Sequence, residues 1–68
     1  MGIQSILFDK SRFTIPQAIN WLDRHDREHY KVHTTANYHR FRQYDPKPGK
    51  RYITKEVDDG VYYVIDIN

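Results

Sequence analysis

The sequence predicts an α+β domain of order β-α-β-β-β, with one helix packed on a strongly twisted antiparallel sheet. Three observations predict it. Only the stretch from Ile15 to Leu22 carries apolar residues at helical spacing. Four other stretches are short, rich in β-branched and aromatic residues, and separated by turn chemistry. The chain of 68 residues makes a single domain, residues 1–68, with no room for a second.

The first strand is read from Ile3 and the run Ile6-Leu7-Phe8, ended by Asp9-Lys10; such a run fits a strand buried on both faces. Thr14 then opens the helix through a capping box with Gln17, flanked by Phe13 and Ala18 at the hydrophobic-staple positions. Pro16 falls in the first turn, where a missing N–H loses no helical bond. Ile15, Ala18, Ile19 and Leu22 make the apolar stripe, Trp21 covers its edge, and the pattern fades between His25 and Arg27. Tyr30 to Thr35 reads as the second strand, Ala36-Asn37 as a bend, and Tyr38 to Tyr44 as the third strand. Asp45-Pro46-Lys47-Pro48-Gly49 is a turn.

The last two strands form a hairpin around Asp59-Gly60. A three-residue turn, Asp58-Asp59-Gly60, would pair Val57 with Val61 and Ile53 with Ile65. It would gather Ile53, Val57, Val61, Tyr63, Ile65 and Ile67 on one face. A one-residue slip would move a whole strand's side chains across the sheet, so the core favours this register, with Gly60 at the left-handed position.

Size and composition narrow the functional classes. A core this small supplies only about 3–5 kcal/mol of net stability, and such domains usually carry a staple. Cysteine is absent, which removes disulfides and thiolate zinc sites. The staples left are a His-based metal, oligomerisation such as a homodimer, or a partner that folds against the domain. Oligomerisation leads because the metal case below is thin. No apolar run approaches the ~20 residues of a membrane span, and the N-terminus lacks the pattern of a signal peptide. Gly2 is followed by Ile6 where a myristoylation signal wants Ser or Thr. The expected location is therefore intracellular, in host cytoplasm or nucleus, or within a virion, and not secreted.

Charge is unevenly distributed. Between Lys31 and Lys55 there are seven Lys/Arg against Asp45 alone, while the other residues hold four Lys/Arg against eight acids. Such asymmetry suggests one face for a polyanion, or a set of charges that protects exposed strands. Alternation places Phe41 towards the core and Tyr38, Arg40, Arg42 and Tyr44 on the outer face, joined there by Tyr52 and Tyr62. One helix covers one side of a sheet, so the other side should be open, with Arg40 and Arg42 pointing away from the helix.

Basic residues interleaved with aromatics on an open sheet suit single-stranded nucleic acid: cations neutralise phosphates and rings stack on bases. Tyr38, Tyr44, Tyr52 and Tyr62 would be platforms, Arg40 and Arg42 the central cations, and Lys47, Lys50 and Arg51 the mouth of the site. The same residue types are enriched at protein interfaces, and that alternative stays open. The glycine-aromatic signature of an RNA-recognition motif is absent, as is the second helix that fold needs.

His25, His29 and His33 lie four apart, a ligand spacing if one helix carried them, but Tyr30 to Thr35 reads as strand and breaks that geometry. No Gly-rich phosphate loop, nucleophile with a base, or carboxylate pair on a rigid element is evident. The expectation is a non-enzymatic protein with no metal and no cofactor.

Several residues in succession resemble a short domain of tailed-phage and prophage proteins and of large DNA viruses of eukaryotes. They are Ala18-x-x-Trp21-Leu22-x-x-His25, Lys31-Val32-x-x-Thr35, and Asn37-Tyr38-x-Arg40-Phe41-Arg42-Gln43 with Asp45-Pro46. Tyr52-x-Thr54-Lys55 and Gly60-Val61 leading into Val64-Ile65 extend the likeness over residues 13–67, and Arg-Phe-Arg-Gln is its most specific part. The chain departs from it at Tyr62-Tyr63, where phage versions carry smaller residues, and in ending after the last strand. The resemblance implies a viral or phage-derived origin near capsid and maturation functions, and it carries over no catalytic residue. Two functions follow as expectations: contact with nucleic acid through the outer face, or a virion or assembly role in which that face docks to a protein or a second copy.

Overall fold

The computed structural model describes residues 2–29 and 31–67. Its elements are β1 (Gly2–Asp9), α1 (Ile15–Arg24), β2 (Val32–Thr34), β3 (Tyr38–Arg42), β4 (Tyr52–Asp58) and β5 (Val61–Asp66). The strands form one five-stranded sheet of order β2-β3-β1-β5-β4, antiparallel at every pairing. The helix packs on one side, which is the α+β arrangement that the sequence predicts.

The first strand of the chain is therefore the middle of the sheet, and its Ile6-Leu7-Phe8 run follows from that place. Ile6 and Phe8 are fully buried beneath the helix with Phe41 of β3 and Val61 of β5. A bulge between Ile3 and Ser5 sets Ile3 opposite Ile65 and Ile6 opposite Tyr63. Ile3 thereby joins Ile6 and Phe8 against the core. The Phe8 ring meets Phe13, Trp21 and Phe41 edge-on, with centroids 5.1, 5.6 and 5.6 Å away. Contacts of this geometry contribute about 0.5–1.5 kcal/mol each beyond the area they bury.

The capping box is present. Thr14 Oγ1 accepts the Gln17 N–H at 3.3 Å, and Gln17 Oε1 accepts the Thr14 N–H at 2.9 Å. At the other end the chain closes the helix without glycine. The N–H of Arg27 donates to the Leu22 carbonyl at 2.9 Å and that of Asp26 to the Asp23 carbonyl at 3.3 Å. This is the Schellman pattern, and Asp26 holds its left-handed position at φ 55°. Trp21 is deeper than the edge position expected of it. It is buried in the core, stacked on His25 at 3.7 Å and edge-on to Tyr63 at 6.3 Å.

Three boundaries differ from the sequence reading. Strand β2 is confined to Val32–Thr34, and Tyr30, expected to begin it, lies outside the described residues. Strand β3 stops at Arg42 rather than Tyr44, because the backbone N–H groups of Gln43 and Tyr44 both turn to the Gln4 carbonyl at the β1 bulge. The hairpin pairs Ile53 with Ile65 as expected, but Asp58 instead of Val57 stands opposite Val61. A bulge between Glu56 and Asp58 absorbs the difference, and Gly60 takes φ 79° in the turn. The cause is polar. Asp58 accepts the Trp21 indole N–H at 3.3 Å and the Asp59 N–H at 2.8 Å, neither of which a valine could serve.

Val57 is thereby left 41% exposed, and Ile53 and Ile67 are 47% and 40% exposed. A ten-residue helix is about 15 Å long and ~10 Å wide, so it covers β1, β3 and β5 and falls short of the β4 edge. The single apolar face expected of the hairpin is thus split. Val61 is core, Tyr63 and Ile65 are half-buried, and the β4 residues meet solvent.

Two variants test this account. Phe8→Ala should remove about 3–5 kcal/mol, comparable with the whole stability of so small a core. It is expected to abolish the cooperative urea transition, and a preserved transition would contradict the central role given to that ring. Asp26→Gly relieves a left-handed backbone that L residues adopt at a cost, so its urea midpoint should rise, by about 0.5–1 kcal/mol in stability.

Candidate nucleic-acid interface

Pairing sorts the side chains of β3. Tyr38 stands opposite Asp9, Arg40 opposite Leu7 and Arg42 opposite Ser5, while Phe41 is fully buried in the core. His39 is buried beside Thr34, whose Oγ1 lies 3.1 Å from its Nδ1. Arg40 and Arg42 therefore lie on the side away from the helix, as expected. Tyr62 reaches the same side opposite Leu7 and Glu56, and Tyr52 opposite Asp66. The Tyr38 and Tyr62 rings meet edge-on across β1, with centroids 5.7 Å apart. Lys47, Lys50 and Arg51 lie in the segment between β3 and β4.

This face is not open throughout, which corrects the sequence reading. Gln4, Ser5, Val64 and Asp66 are buried although the helix is on the other side. The face is closed by its own polar side chains and by the segment after β3. Arg40 Nε donates to Ser5 Oγ at 3.3 Å and its Nη2 to Gln4 Oε1 at 3.4 Å. Ser5 Oγ donates in turn to Gln4 Oε1 at 2.6 Å, and Gln4 Nε2 to the Tyr44 carbonyl at 2.8 Å. The Tyr44 hydroxyl donates to Asp66 Oδ2 at 3.4 Å, with Lys50 Nζ 3.7 Å from the same oxygen. The Tyr52 hydroxyl accepts the Lys47 N–H at 3.1 Å.

Of the nine residues expected at the site, Tyr38, Arg40, Arg42, Tyr44, Lys50, Tyr52 and Tyr62 come to one side but do different work. Lys47 meets the Tyr52 hydroxyl through its backbone. Arg51 corrects the sequence reading, because it stands opposite Ile67 and alternates with Tyr52 towards the helix side. Arg40, Tyr44, Lys50 and Tyr52 hold the fold of that side together. Tyr38 and Tyr62 are half-buried and paired with each other, and Arg42, Lys47 and Arg51 are exposed. Burial, followed by the charge of Asp66, the neighbouring Tyr52 and the bond to Asp66, raises the Tyr44 hydroxyl above the usual tyrosine range. Glu56 opposite Tyr62 raises that hydroxyl most, with burial, Tyr38 and Asp9 adding to it.

One cation and one histidine escape the sequence reading. β2 lies beside β3, with His33 opposite Arg40 and the Lys31 carbonyl accepting the Arg42 N–H at 3.2 Å. Lys31 and His33 consequently extend the basic side to the free edge of the sheet. A pocket of 380 Å³ lies there, lined by Lys31, Val32, His33, Arg42 and Asp45. The signal was available in the alternation of Lys31-Val32-His33, had that strand been given the partner it has. The far end of the face is acidic, with Glu56 and Asp66 on β4 and β5.

The spaced histidines go to separate settings. His25 caps the helix and stacks on Trp21, His29 Nε2 lies 3.0 Å from Asp23 Oδ1, and His33 is on β2. Among the described residues no group of three or more His, Cys, Asp or Glu is placed to hold a metal ion. No helix among them is long and apolar enough to cross a membrane. Compared with family models, curated proteins and solved structures, the chain finds no match; the viral resemblance rests on its residues alone.

The tyrosines supply a test of this geometry. Tyr44 and Tyr62 hold their protons more tightly when folded, so their contribution to stability is complete below the ordinary tyrosine pKa, about 10. It is lost as pH rises through their higher folded values. Tyrosinate absorbance should show a late-ionising component, and Tyr44→Phe should remove part of it. An alkaline titration left unchanged by that substitution would contradict the Tyr44–Asp66 contact.

Proposed function

We propose that this chain is a small non-enzymatic binding protein, viral or phage-derived, that contacts single-stranded nucleic acid through the side of its sheet away from the helix. The observation that carries the reading is the alignment of Lys31, His33, Arg40 and Arg42 on adjacent strands, beside the Tyr38–Tyr62 pair. Cations set next to aromatic rings provide the phosphate neutralisation and stacking that a single strand requires. Arg42 is the leading contact because its guanidinium is exposed, whereas Arg40 is engaged with Gln4 and Ser5. The viral origin is supported by the likeness of the Arg-Phe-Arg-Gln region described above.

A second reading has its own observation. Ile53, Val57 and Ile67 are exposed at the β4 edge, at the opposite end of the sheet from Lys31 and Arg42. Exposed apolar residues on an edge strand suit self-association or a virion or assembly contact. A homodimer would then use a different surface from the one that meets nucleic acid, although Lys55 on that edge discourages strand-to-strand pairing.

Fluorescence anisotropy with labelled single-stranded DNA and RNA at two salt concentrations separates these readings. Wild type should bind at low salt with log affinity falling linearly against log salt. Arg42→Ala should flatten that slope by about 0.7, the share of one phosphate contact on a single strand. Absence of binding at low salt would end the nucleic-acid reading. Sedimentation at micromolar concentration addresses the other, and a monomer throughout would count against it.

A further inference from the structure

The pocket at the β2 edge has a chemistry of its own. Three of the five residues lining it, Lys31, His33 and Arg42, carry N–H donors, and Lys31 and Arg42 carry fixed positive charge. Arg42 donates its N–H to the Lys31 carbonyl, so Lys31 occupies a hydrogen-bonded position of the antiparallel ladder and Val32 the alternate one. The Val32 N–H and C=O consequently both point away from β3, along the free edge of the sheet. One acid is present, Asp45, with Oδ1 3.9 Å from Lys31 Nζ, and both side chains are largely exposed.

This arrangement differs from the rest of the basic surface. Arg40 is committed to Gln4 and Ser5, and Lys50 lies beside Asp66. At the pocket the cations converge on open volume, and the internal acid is held through a long, solvated ion pair of the kind worth little in water. An anion with several acceptor oxygens could displace that acid and meet the Lys31 ammonium and Arg42 guanidinium together, beside the His33 ring.

We infer that the pocket formed by Lys31, Val32, His33 and Arg42 is a phosphate-binding subsite, in which Asp45 acts as an internal competitor for Lys31. The inference rests on the nucleic-acid reading for the source of the phosphate, a backbone phosphodiester. Free phosphate shares the chemistry, and the test separates the two. Tyr38 is four residues from Arg42 on β3, about 13 Å away. A strand seated at the pocket could therefore run on towards the Tyr38–Tyr62 rings.

The test is a pair of NMR titrations of ¹⁵N-labelled protein at fixed ionic strength, one with inorganic phosphate against a chloride control and one with oligo-dT. Saturable shifts at the amides of Val32, His33 and Arg42 are expected in both. Arg42→Ala should weaken phosphate binding roughly five- to tenfold. Asp45→Asn should tighten it about two- to fivefold by removing the competitor, an outcome that a merely structural role for Asp45 does not produce. If oligo-dT shifts only residues around Tyr38 and Tyr62, the subsite is overturned and the broader reading survives. If phosphate saturates the pocket and oligo-dT binds nowhere, the anion site stands and the nucleic-acid source is overturned. No saturable shift at the pocket from either probe, or Asp45→Asn binding phosphate no tighter than wild type, overturns the proposal.

Discussion

The burial of the Phe8 ring is the contact on which the rest of the molecule depends. It joins the loop before the helix through Phe13, the helix through Trp21, and the neighbouring strand through Phe41. In a chain without disulfides, these edge contacts stand where larger domains have several layers of core. Phe8 also fixes the topology. A strand with both Ile6 and Phe8 fully buried needs neighbours on each side, and β3 and β5 supply them.

The second constraint is the bulge in β1. It allows Ile3, Ile6 and Phe8 to share the helix side, while Gln4 and Ser5 meet Arg40 on the other. The Gln4 carbonyl then collects the N–H groups of Gln43 and Tyr44 and turns the chain after β3 across the sheet. One irregularity thus sets where β3 ends, why the outer side is partly covered, and why Arg40 is a tether more than a free cation. The basic surface is displaced as a result towards the β2 edge, where Arg42, Lys31 and His33 face solvent. Lys31 and Arg42 at the β2 edge, and the run of exposed Ile53 and Val57 along β4, give the small sheet two different ends, although Val32 is exposed at the first and Lys55 stands at the second.

Much of this was legible in the sequence, for reasons that can be named. The Thr14–Gln17 capping box, the apolar stripe of the helix and the positive φ of Gly60 are local, set by residues within one turn of each other. The side taken by Arg40, Arg42 and Tyr62 follows from strand alternation once Phe41 and Val61 are assigned to the core. The hairpin register was half legible. Hydrophobic matching finds the Ile53–Ile65 pair, but the Asp58–Val61 pair depends on an indole N–H from a helix 37 residues earlier in the chain.

By itself, then, the sequence determined the α+β class, the helix and its start, the antiparallel hairpin, and the gathering of cations and tyrosines on one side. Periodicity and short-range hydrogen bonding specify those features without reference to distant partners. Only the tertiary structure decided that β1 lies at the centre, that β2 borders β3, and that Tyr44 and Arg40 spend their polar groups on Asp66, Gln4 and Ser5. These depend on which strands become neighbours. That choice is made by the fit of Ile6 and Phe8 between β3 and β5, a long-range packing outcome that no local pattern encodes.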